Sequence, residues 1–477
     1  MFKKKKSESW LRDNVEAVAT AVALAMLIRL FAVEAFVIPT GSMAPTLRGE
    51  HISLTCPNCG TEVAIAFRGG FEKAYLFETI SPHSKKDVTV VVYGSDLSFN
   101  EQEVVCPDSG KSWYVRVSRE KLGKATYARR YNAICPVCNW RFKADVVPSD
   151  VCGGDKIFVN KLPFLLREPQ RWEVIVFKCP QETTKNYIKR LIGLGGETVQ
   201  IKGGEIYIDG KMARKPRWAR RAVATLVYSS ELKEKFKERS VWQIKHGAWR
   251  FEEDGFSVQA GSEPNVVEYG GDITARVPYN EPDSDSGQPV SDVTLEFRVK
   301  ANVDGSVEKN YVLALLGDGT NEAVLYLATG RGRSLLRFNC DVVAESEFGL
   351  SGGGFHSVEF SKVDNRVEVY VDGKMLFAYE YETETTGRNA TIRIGAQGVN
   401  VFFKDVRIWR DIYYYARMGG YGDESEPERV PLDSYFVLGD NSENSNDSRV
   451  WGSVPSANLM GKAFLVFWPP KRVHFVK

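Results

Sequence analysis

The sequence predicts a mainly β protein with one N-terminal transmembrane helix. The apolar run VEAVATAVALAMLIRLFAVEAFVI has about 24 residues, enough to span roughly 30 Å of hydrocarbon as a helix. After it, short runs of β-branched and aromatic residues alternate with Gly, Pro, Asn and Asp, which is typical of strands and turns. A regular series of such runs between Val293 and Tyr415 predicts a β-sandwich.

Length and composition indicate several soluble domains. The chain has 477 residues, of which 43% are hydrophobic and 26% charged, and this fits two to four globular units. The formal net charge of +2 gives no basis for a nucleic acid partner. Five of the 8 cysteines lie between Cys56 and Cys138, so they mark one local feature and not a disulfide framework along the whole chain.

The predicted helix covers residues 15–38 and follows a basic segment, residues 1–14. Because Lys3 to Lys6 precede the apolar run, the positive-inside rule predicts a cytoplasmic N-terminus. The rest of the chain is then expected outside the cytoplasm, attached to the cell (inner) membrane by a single span. A cleaved signal peptide is the alternative, although its apolar part is usually about 7–15 residues long.

Two residues suggest hydrolytic chemistry. Ser42 lies in the turn-forming stretch PTGSMAP directly after the apolar run, and a serine nucleophile needs a base. None of the five histidines stands in a recognisable triad context, but a buried lysine can also act as a base because desolvation lowers its pKa. Lys189 in YIKRLIGLGGE is the candidate, with Arg190 on the opposite face of the strand. A simple turn serine and a solvated lysine are the alternatives.

Four segments then give these residues a context. The segments FVIPTGSMAPTL, GDKIFVNK, YIKRLIGLGGE and GDNSENSNDSR occur in this order and resemble the signature boxes of type I signal peptidases. These are membrane-bound Ser–Lys endopeptidases that remove signal peptides from exported proteins. The resemblance implies a β-rich catalytic domain made of residues 39–50, 153–212 and 421–470. Two insertions, residues 51–152 and 213–420, would interrupt it.

The resemblance also implies roles for individual residues. Ser42 would be the nucleophile and Lys189 the general base, and no cofactor would be needed for catalysis. The oxyanion hole would consist of the backbone N–H of Ser42 and the hydroxyl of Thr40, which stands where many members of the family have Ser.

The polar loop GDNSENSNDSR would support the catalytic pair. The resemblance implies that Ser445 orients the lysine amine, and that Asp447 and Arg449 form a pair that stiffens the site. Ser442 departs from the family pattern, where many members have Arg, and no role is assigned to it. The alternatives are an Asx-rich surface turn or a metal loop, although the spacing does not match an EF-hand.

The first insertion contains two Cys-Pro-x-Cys motifs. Cys56 with Cys59, and Cys135 with Cys138, resemble zinc-ribbon knuckles and predict a structural zinc site. Because 75 residues separate the motifs, a β subdomain must bring them together. Disulfide-bonded or redox-active pairs and unbound thiols are the alternatives.

The second insertion contains the predicted sandwich, at about residues 288–415. The segment HSVEFSKVDNRVEVYVDGKMLFAY resembles laminin-G or concanavalin-like domains. A protein or carbohydrate ligand is one expectation for such a domain, and a purely structural role is another. Both flanks of the insertion are strand-like, so we expect cleavage of a short peptide to survive deletion of about residues 218–418.

The sequence therefore predicts a signal peptidase whose partners are the signal peptides of secretory precursors and membrane lipid. Two alternatives stay open. One is a membrane-anchored binding protein derived from such a peptidase, and the other is a peptidase dedicated to a special substrate.

Overall fold

The computed structural model describes residues 10, 12–22, 32–93, 101–106, 110–117, 122–232, 235, 241–252, 255–280, 287–302, 310–351, 353–383 and 389–477. Within them the chain is mainly β, as predicted. Besides the helical residues 10 and 12–22, the α-helices are Pro163–Leu166, Arg217–Val223 and Ser448–Trp451.

The predicted transmembrane helix over residues 15–38 is wrong. No helix in the described ranges combines the length and the apolar character needed to cross a membrane. Residues 23–31 lie outside those ranges, and Val33–Val37 form a strand that pairs antiparallel with Lys156–Asn160. β-branched and aromatic residues favour a strand where a neighbouring strand offers its hydrogen bonds. The predicted single-span topology therefore loses its basis.

The candidate catalytic residues lie in or next to an eight-stranded sheet, here named the site sheet. Its strands, in spatial order, are Val33–Val37, Lys156–Asn160, Leu459–Trp468, Val174–Lys178, Asn186–Gly193, Ser434–Leu438 and Val454–Pro455, with His474–Phe475 paired to Leu459–Trp468. These strands come from both ends and the middle of the sequence. The sheet therefore brings Lys189 next to segments that are hundreds of residues away along the chain.

A smaller sheet packs against the site sheet. Its strands are Lys211–Met212, Glu205–Ile208, Thr198–Lys202 and Glu428–Arg429. The two sheets share a core in which Ile192 and Phe436 contact Val199 and Ile201 in one cluster. Ile412 and Tyr414, from the end of the second predicted insertion, are buried in the same cluster.

Two further eight-stranded sheets pack face to face as a β-sandwich. The first consists of Trp249–Glu252, Gly255–Val258, Asn400–Arg410, Val293–Asn302, His356–Val363, Arg366–Val371 and Lys374–Glu380, with Thr225–Ser229 paired to Asn400–Arg410. The second consists of Trp242–His246, Asn265–Tyr269, Thr391–Gln397, Tyr311–Gly317, Glu322–Thr329, Ser334–Phe338 and Asp341–Ser346, with Gly349–Leu350 paired to Glu322–Thr329. One apolar core joins both sheets, and it includes strands that lie before residue 288.

The first predicted insertion folds into four hairpins. They are His51–Thr55 with Glu62–Ala66, Glu72–Ile80 with Asp87–Tyr93, Glu101–Val105 with Ser112–Arg116, and Ala125–Ile134 with Arg141–Val146. The short strand Val151–Cys152 pairs with the first hairpin. Hairpins one and four share one core, and hairpins two and three share another.

All four hairpins use the same turn. The turns begin at Cys56, Ser81, Cys106 and Cys135, and each of these residues is followed by Pro. In every turn the N–H of this first residue donates to the carbonyl five residues later, and its own carbonyl accepts from the N–H four residues later. The insertion is therefore a structural repeat of one hairpin and not an irregular subdomain.

Candidate active site

Ser42 lies on a single 3-10 turn, Gly41–Met43, just beyond the edge strand Val33–Val37. Met43 and Leu47 are fully buried in the core under the site sheet, and the N–H of Leu47 donates to the Met43 carbonyl (2.8 Å). These apolar side chains anchor the turn from below. Ser42 is therefore held at the boundary between the core and the surface, half-buried.

Lys189 lies in the strand Asn186–Gly193 and reaches Ser42. Its Nζ donates to Ser42 Oγ (2.7 Å) and to the carbonyl of Ile188 (3.0 Å), and the residue is only 3% exposed. Burial lowers the pKa of Lys189 to about 8, although the charges of Asp447 and Asp440 oppose this shift. Within the described part of the chain no ion pair reaches this amine. The structure thus brings together a serine and a buried lysine that can be neutral.

Arg190 points to the other face of the strand, as strand alternation predicts. Its guanidinium donates to both carboxylate oxygens of Asp440 (2.8 and 2.7 Å) and to the carbonyl of Trp172 (2.6 Å). The hydroxyl of Thr46 donates to the same carboxylate. Asp440 therefore links the lysine-bearing strand to the segment that follows the Ser42 turn.

Asp447 and Arg449 form the buried pair that the sequence predicts. Arg449 donates to both carboxylate oxygens (2.8 and 2.7 Å), and the N–H of Gly439 donates to one of them (3.0 Å). Burial would raise the pKa of Asp447, but the hydrogen bonds and charge of Arg449 hold this pKa below its usual value. Both residues are almost fully buried, so the pair fixes the loop under the lysine.

Ser442, to which the sequence assigned no role, joins this pair. Its Oγ accepts from Arg449 Nη1 (2.9 Å) and from the backbone N–H of Tyr415 (2.8 Å). Arg449 also donates to the carbonyl of Tyr415 (2.6 Å). A serine at this position thus gives the guanidinium and a neighbouring backbone amide a common acceptor.

Ser445 and Thr40 occupy different environments. Ser445 is buried beside Asp447, whose pKa it helps to lower, and the hydrogen bonds of the described residues include none from its hydroxyl to Lys189. Thr40 is exposed and has an extended backbone directly before the turn. Its hydroxyl takes part in none of the hydrogen bonds seen among the described residues.

Asn441 contacts the Ser42 turn directly, which the sequence did not indicate. Its Nδ2 donates to the carbonyl of Gly41 (3.0 Å), and its backbone N–H donates to the carbonyl of Ser42 (3.0 Å). Its side chain also exchanges hydrogen bonds with Asn280 from the second predicted insertion. Nothing local in the sequence signals a contact over such a separation.

These contacts do not support the expectation that residues 218–418 are separable from the site. The Tyr415 backbone binds Arg449 and Ser442, and Asn280 binds Asn441. Such a deletion would remove Asn280, Tyr414 and Tyr415 together. The insertion is in direct contact with the loop that supports Ser42.

The four predicted metal ligands lie together. The Sγ atoms of Cys56 and Cys138 are 3.6 Å apart, those of Cys59 and Cys135 are 3.5 Å apart, and all four lie within 4.8 Å of one another. Disulfide sulfurs are about 2.0 Å apart, so these pairs are not disulfides. A tetrahedral zinc with bonds of about 2.3 Å separates its thiolates by roughly 3.8 Å, which this cluster fits.

Comparisons with known proteins match the sequence around part of this site. The family model for signal peptidase, peptidase S26, matches residues 146–255 and 359–468, which contain Lys189 and the loop from Asp440 to Arg449 but not Ser42. The chain is 55% identical over 47 residues to signal peptidase I of Leptolyngbya laminosa, covering 10% of this chain and 23% of that protein. It is 42% identical over 64 residues to signal peptidase I T of Bacillus subtilis (strain 168), covering 13% and 32%.

The chain spans 23% and 32% of the length of these two relatives. Among solved structures, a carbohydrate-binding module from Bacillus subtilis matches 35% of this chain and 95% of its own at 11% identity, with a TM-score of 0.26. That likeness is too small to support a ligand. The family model and the relatives together make residues 146–255 and 359–468 of this chain similar to the type I signal peptidases, peptidase S26.

Proposed function

We propose that this protein is a serine endopeptidase that removes signal peptides from secretory precursors. The observation that carries the proposal is the 2.7 Å hydrogen bond between Lys189 Nζ and Ser42 Oγ. Because burial lowers the pKa of Lys189 to about 8, a substantial fraction of the amine is neutral in mildly alkaline solution. A neutral amine at this distance can accept the serine proton.

In the proposed reaction Lys189 accepts the hydroxyl proton while Ser42 Oγ attacks the scissile carbonyl. The tetrahedral intermediate collapses as the ammonium returns this proton to the leaving amine, and an acyl-serine ester is left. Lys189 then accepts a proton from water, which attacks the ester. The amine finally returns the proton to Ser42 Oγ, so the enzyme is regenerated.

The oxyanion would be stabilised from the Ser42 turn itself. We propose the backbone N–H of Ser42 as one donor and the hydroxyl of Thr40 as the other. Since the Thr40 side chain is exposed at the start of the turn, it is free to rotate towards a bound substrate. Ser445 and the Asp447–Arg449 pair would act by fixing the floor of the site beneath Lys189.

We expect the substrate to bind as an extended strand with small side chains next to the scissile bond. A signal peptide is largely apolar, so the reaction is expected at a membrane surface. A generalist and an enzyme dedicated to one precursor would differ in the range of precursors that they cleave.

The test is cleavage of a secretory precursor by the purified protein, with the cleavage site read by mass spectrometry. We expect cleavage at the signal peptide boundary, its loss in Ser42→Ala, and full activity in Ser425→Ala, a serine whose hydroxyl bonds to Asp423 away from the site. Equal cleavage by Ser42→Ala would contradict the proposal. Binding of the precursor without any cleavage would favour the binding-protein alternative.

We propose further that Cys56, Cys59, Cys135 and Cys138 hold a structural zinc ion, because their Sγ spacing suits tetrahedral thiolate coordination. Elemental analysis of the purified protein should give one zinc per chain. Cys56→Ser should lose it, and Cys340→Ser, at an isolated exposed cysteine, should keep it. A protein with no metal and two disulfides would contradict the proposal.

A further inference from the structure

The loop Val277–Asn280 extends from the sandwich to the turn that carries Ser42. On the sandwich side it is held by Arg410, a buried residue at the end of a sandwich strand. The Arg410 guanidinium donates to the carbonyls of Arg276 (2.8 Å) and Ala275 (3.3 Å), just before the loop. The loop is therefore fixed at its base by the inserted domain.

Tyr279 packs its ring on the catalytic turn. A Cβ atom added to Gly41 would overlap the Tyr279 ring, so glycine is needed at this position for the two segments to approach. The ring also shares a small core with Ala44 and Ala64, and its hydroxyl donates to the carbonyl of Glu50 (3.0 Å). The loop thus contacts the turn and the chain directly after it.

Asn280 continues the contact through a second asparagine. Its Nδ2 donates to Asn441 Oδ1 (2.9 Å), and Asn441 Nδ2 donates back to Asn280 Oδ1 (2.8 Å). This reciprocal pair fixes the orientation of the Asn441 amide. In that orientation Asn441 Nδ2 also reaches the carbonyl of Gly41, while its backbone N–H reaches the carbonyl of Ser42.

We propose that Asn280 of the inserted domain is a positioning residue for the peptidase reaction, and that it acts on the Ser42 turn through Asn441. This rests on the proposed function, because the reaction it serves is Ser42 attack. The geometry gives the reason: the two carbonyls held by Asn441 flank the nucleophile on both sides. Without Asn280 the Asn441 side chain can rotate and release the Gly41 carbonyl.

We expect Asn280→Ala to affect kcat and not KM. A displacement of about 1 Å at a reacting group can cost roughly 100-fold, so we expect Asn280→Ala to lower kcat by about 10- to 100-fold. KM should stay within about 2-fold, because Asn280 contacts the turn from the enzyme side. The pH midpoint of the reaction should not move, since the charged neighbours of Lys189 are unchanged.

A double-mutant cycle tests the route through Asn441. If Asn280 acts only through this residue, Asn280→Ala combined with Asn441→Ala should be no slower than Asn441→Ala alone. Asn280→Asp, which keeps an acceptor for Asn441 Nδ2, should recover part of the lost rate. The proposal would be overturned if the losses in kcat of the two single variants multiplied in the double variant, or if Asn280→Ala kept full kcat.

Hydrogen exchange gives a second measurement that needs no peptidase activity. In Asn280→Ala the segments 40–47 and 439–445 should exchange faster, at an unchanged unfolding temperature. Asn400→Ala is the matched control, because Asn400 makes its side-chain bond to Ala260 within the sandwich (2.6 Å). Unchanged exchange would overturn the positioning role. Faster exchange in a protein that cleaves no precursor would instead overturn the proposed function and leave the coupling in place.

Discussion

Lys189 and Arg190 are neighbours on one strand, and both are buried and basic. Their environments nevertheless shift their pKa values in opposite directions. The Arg190 guanidinium binds the carboxylate of Asp440, whereas the Lys189 amine donates to a hydroxyl and a carbonyl and forms no ion pair among the described residues. Burial would lower the pKa of Arg190, but Asp440 holds it above its usual value. Burial lowers the pKa of Lys189 to about 8, because the charges of Asp447 and Asp440 offset this shift only in part.

The effect of burial on a basic side chain therefore depends on the group itself and on its charged partners. The guanidinium of Arg190 stays protonated and the Asp440 carboxylate compensates its burial, whereas Lys189 forms no ion pair among the described residues and its pKa falls. Because alternate residues of a strand face opposite sides, one strand can carry both roles at adjacent positions.

The largest expected effect is on catalysis at Lys189. Lys189→Arg should lower kcat/KM by at least about 10⁴-fold, because a guanidinium stays protonated and cannot accept the serine proton. Lys189→Ala should do the same, and adding Ser42→Ala should cost nothing more. Lys178→Arg, at an exposed lysine on the adjacent strand, should keep full activity. Appreciable cleavage by Lys189→Arg would end the assignment of Lys189 as the base.

The next effect is on stability at Arg190. Arg190→Met removes the guanidinium and leaves the Asp440 carboxylate buried and unpaired, which should cost about 3–5 kcal/mol in the free energy of unfolding. Arg393→Met, which removes a more exposed partner of Glu268, should cost less than about 1 kcal/mol. Urea denaturation of both variants measures the difference. Similar losses in the two would show that burial does not matter here.

A third effect is on the pH dependence. The base must be neutral to work, so kcat/KM should rise about 10-fold per pH unit below about 8 and level off above it. In Arg190→Met the Asp440 charge is no longer neutralised by its partner, and it should move this midpoint upward because it favours protonated Lys189. A profile that is flat between pH 6 and 9 would refute the lysine base.

The smallest effect is expected at Ser442. Ser442→Ala removes one acceptor from Arg449, which keeps its bonds to Asp447 and to the Tyr415 carbonyl. We therefore expect a loss of about 1 kcal/mol in stability and less than about 10-fold in kcat. Ser442→Thr, which retains the hydroxyl, should recover most of the loss. A larger loss of stability than that of Arg190→Met would contradict the limited role of Ser442 as one acceptor for Arg449.

Local sequence features predicted much of the site. The alternation within YIKRLIGLGGE placed Lys189 and Arg190 on opposite faces, and the turn residues around Ser42 indicated a tight turn. The paired Cys-Pro-x-Cys motifs indicated a common cluster. In each case the signal lies within short segments, although the two Cys motifs are separated by 75 residues along the chain.

Features that depend on distant partners were missed. Val33–Val37 reads as the end of an apolar helix until its partner strand Lys156–Asn160 is known, because pairing and not composition decides its conformation. The contact between Asn280 and Asn441 joins residues 161 positions apart. The role of Ser442 depends on Arg449 folding back over it, which no local pattern indicates.

In the four-hairpin repeat of the first insertion, the outer and inner pairs of turns carry different side chains. The outer pair of turns offers four thiols, whereas the inner pair reads Ser-Pro-His-Ser and Cys-Pro-Asp-Ser, and zinc prefers thiolates. The inner pair has its own apolar core, which includes Phe77, Val92 and Val104. Removal of the proposed zinc would then loosen the outer hairpins first, and the second hairpin would be affected through the pairing of Glu72–Ile80 with Ala125–Ile134.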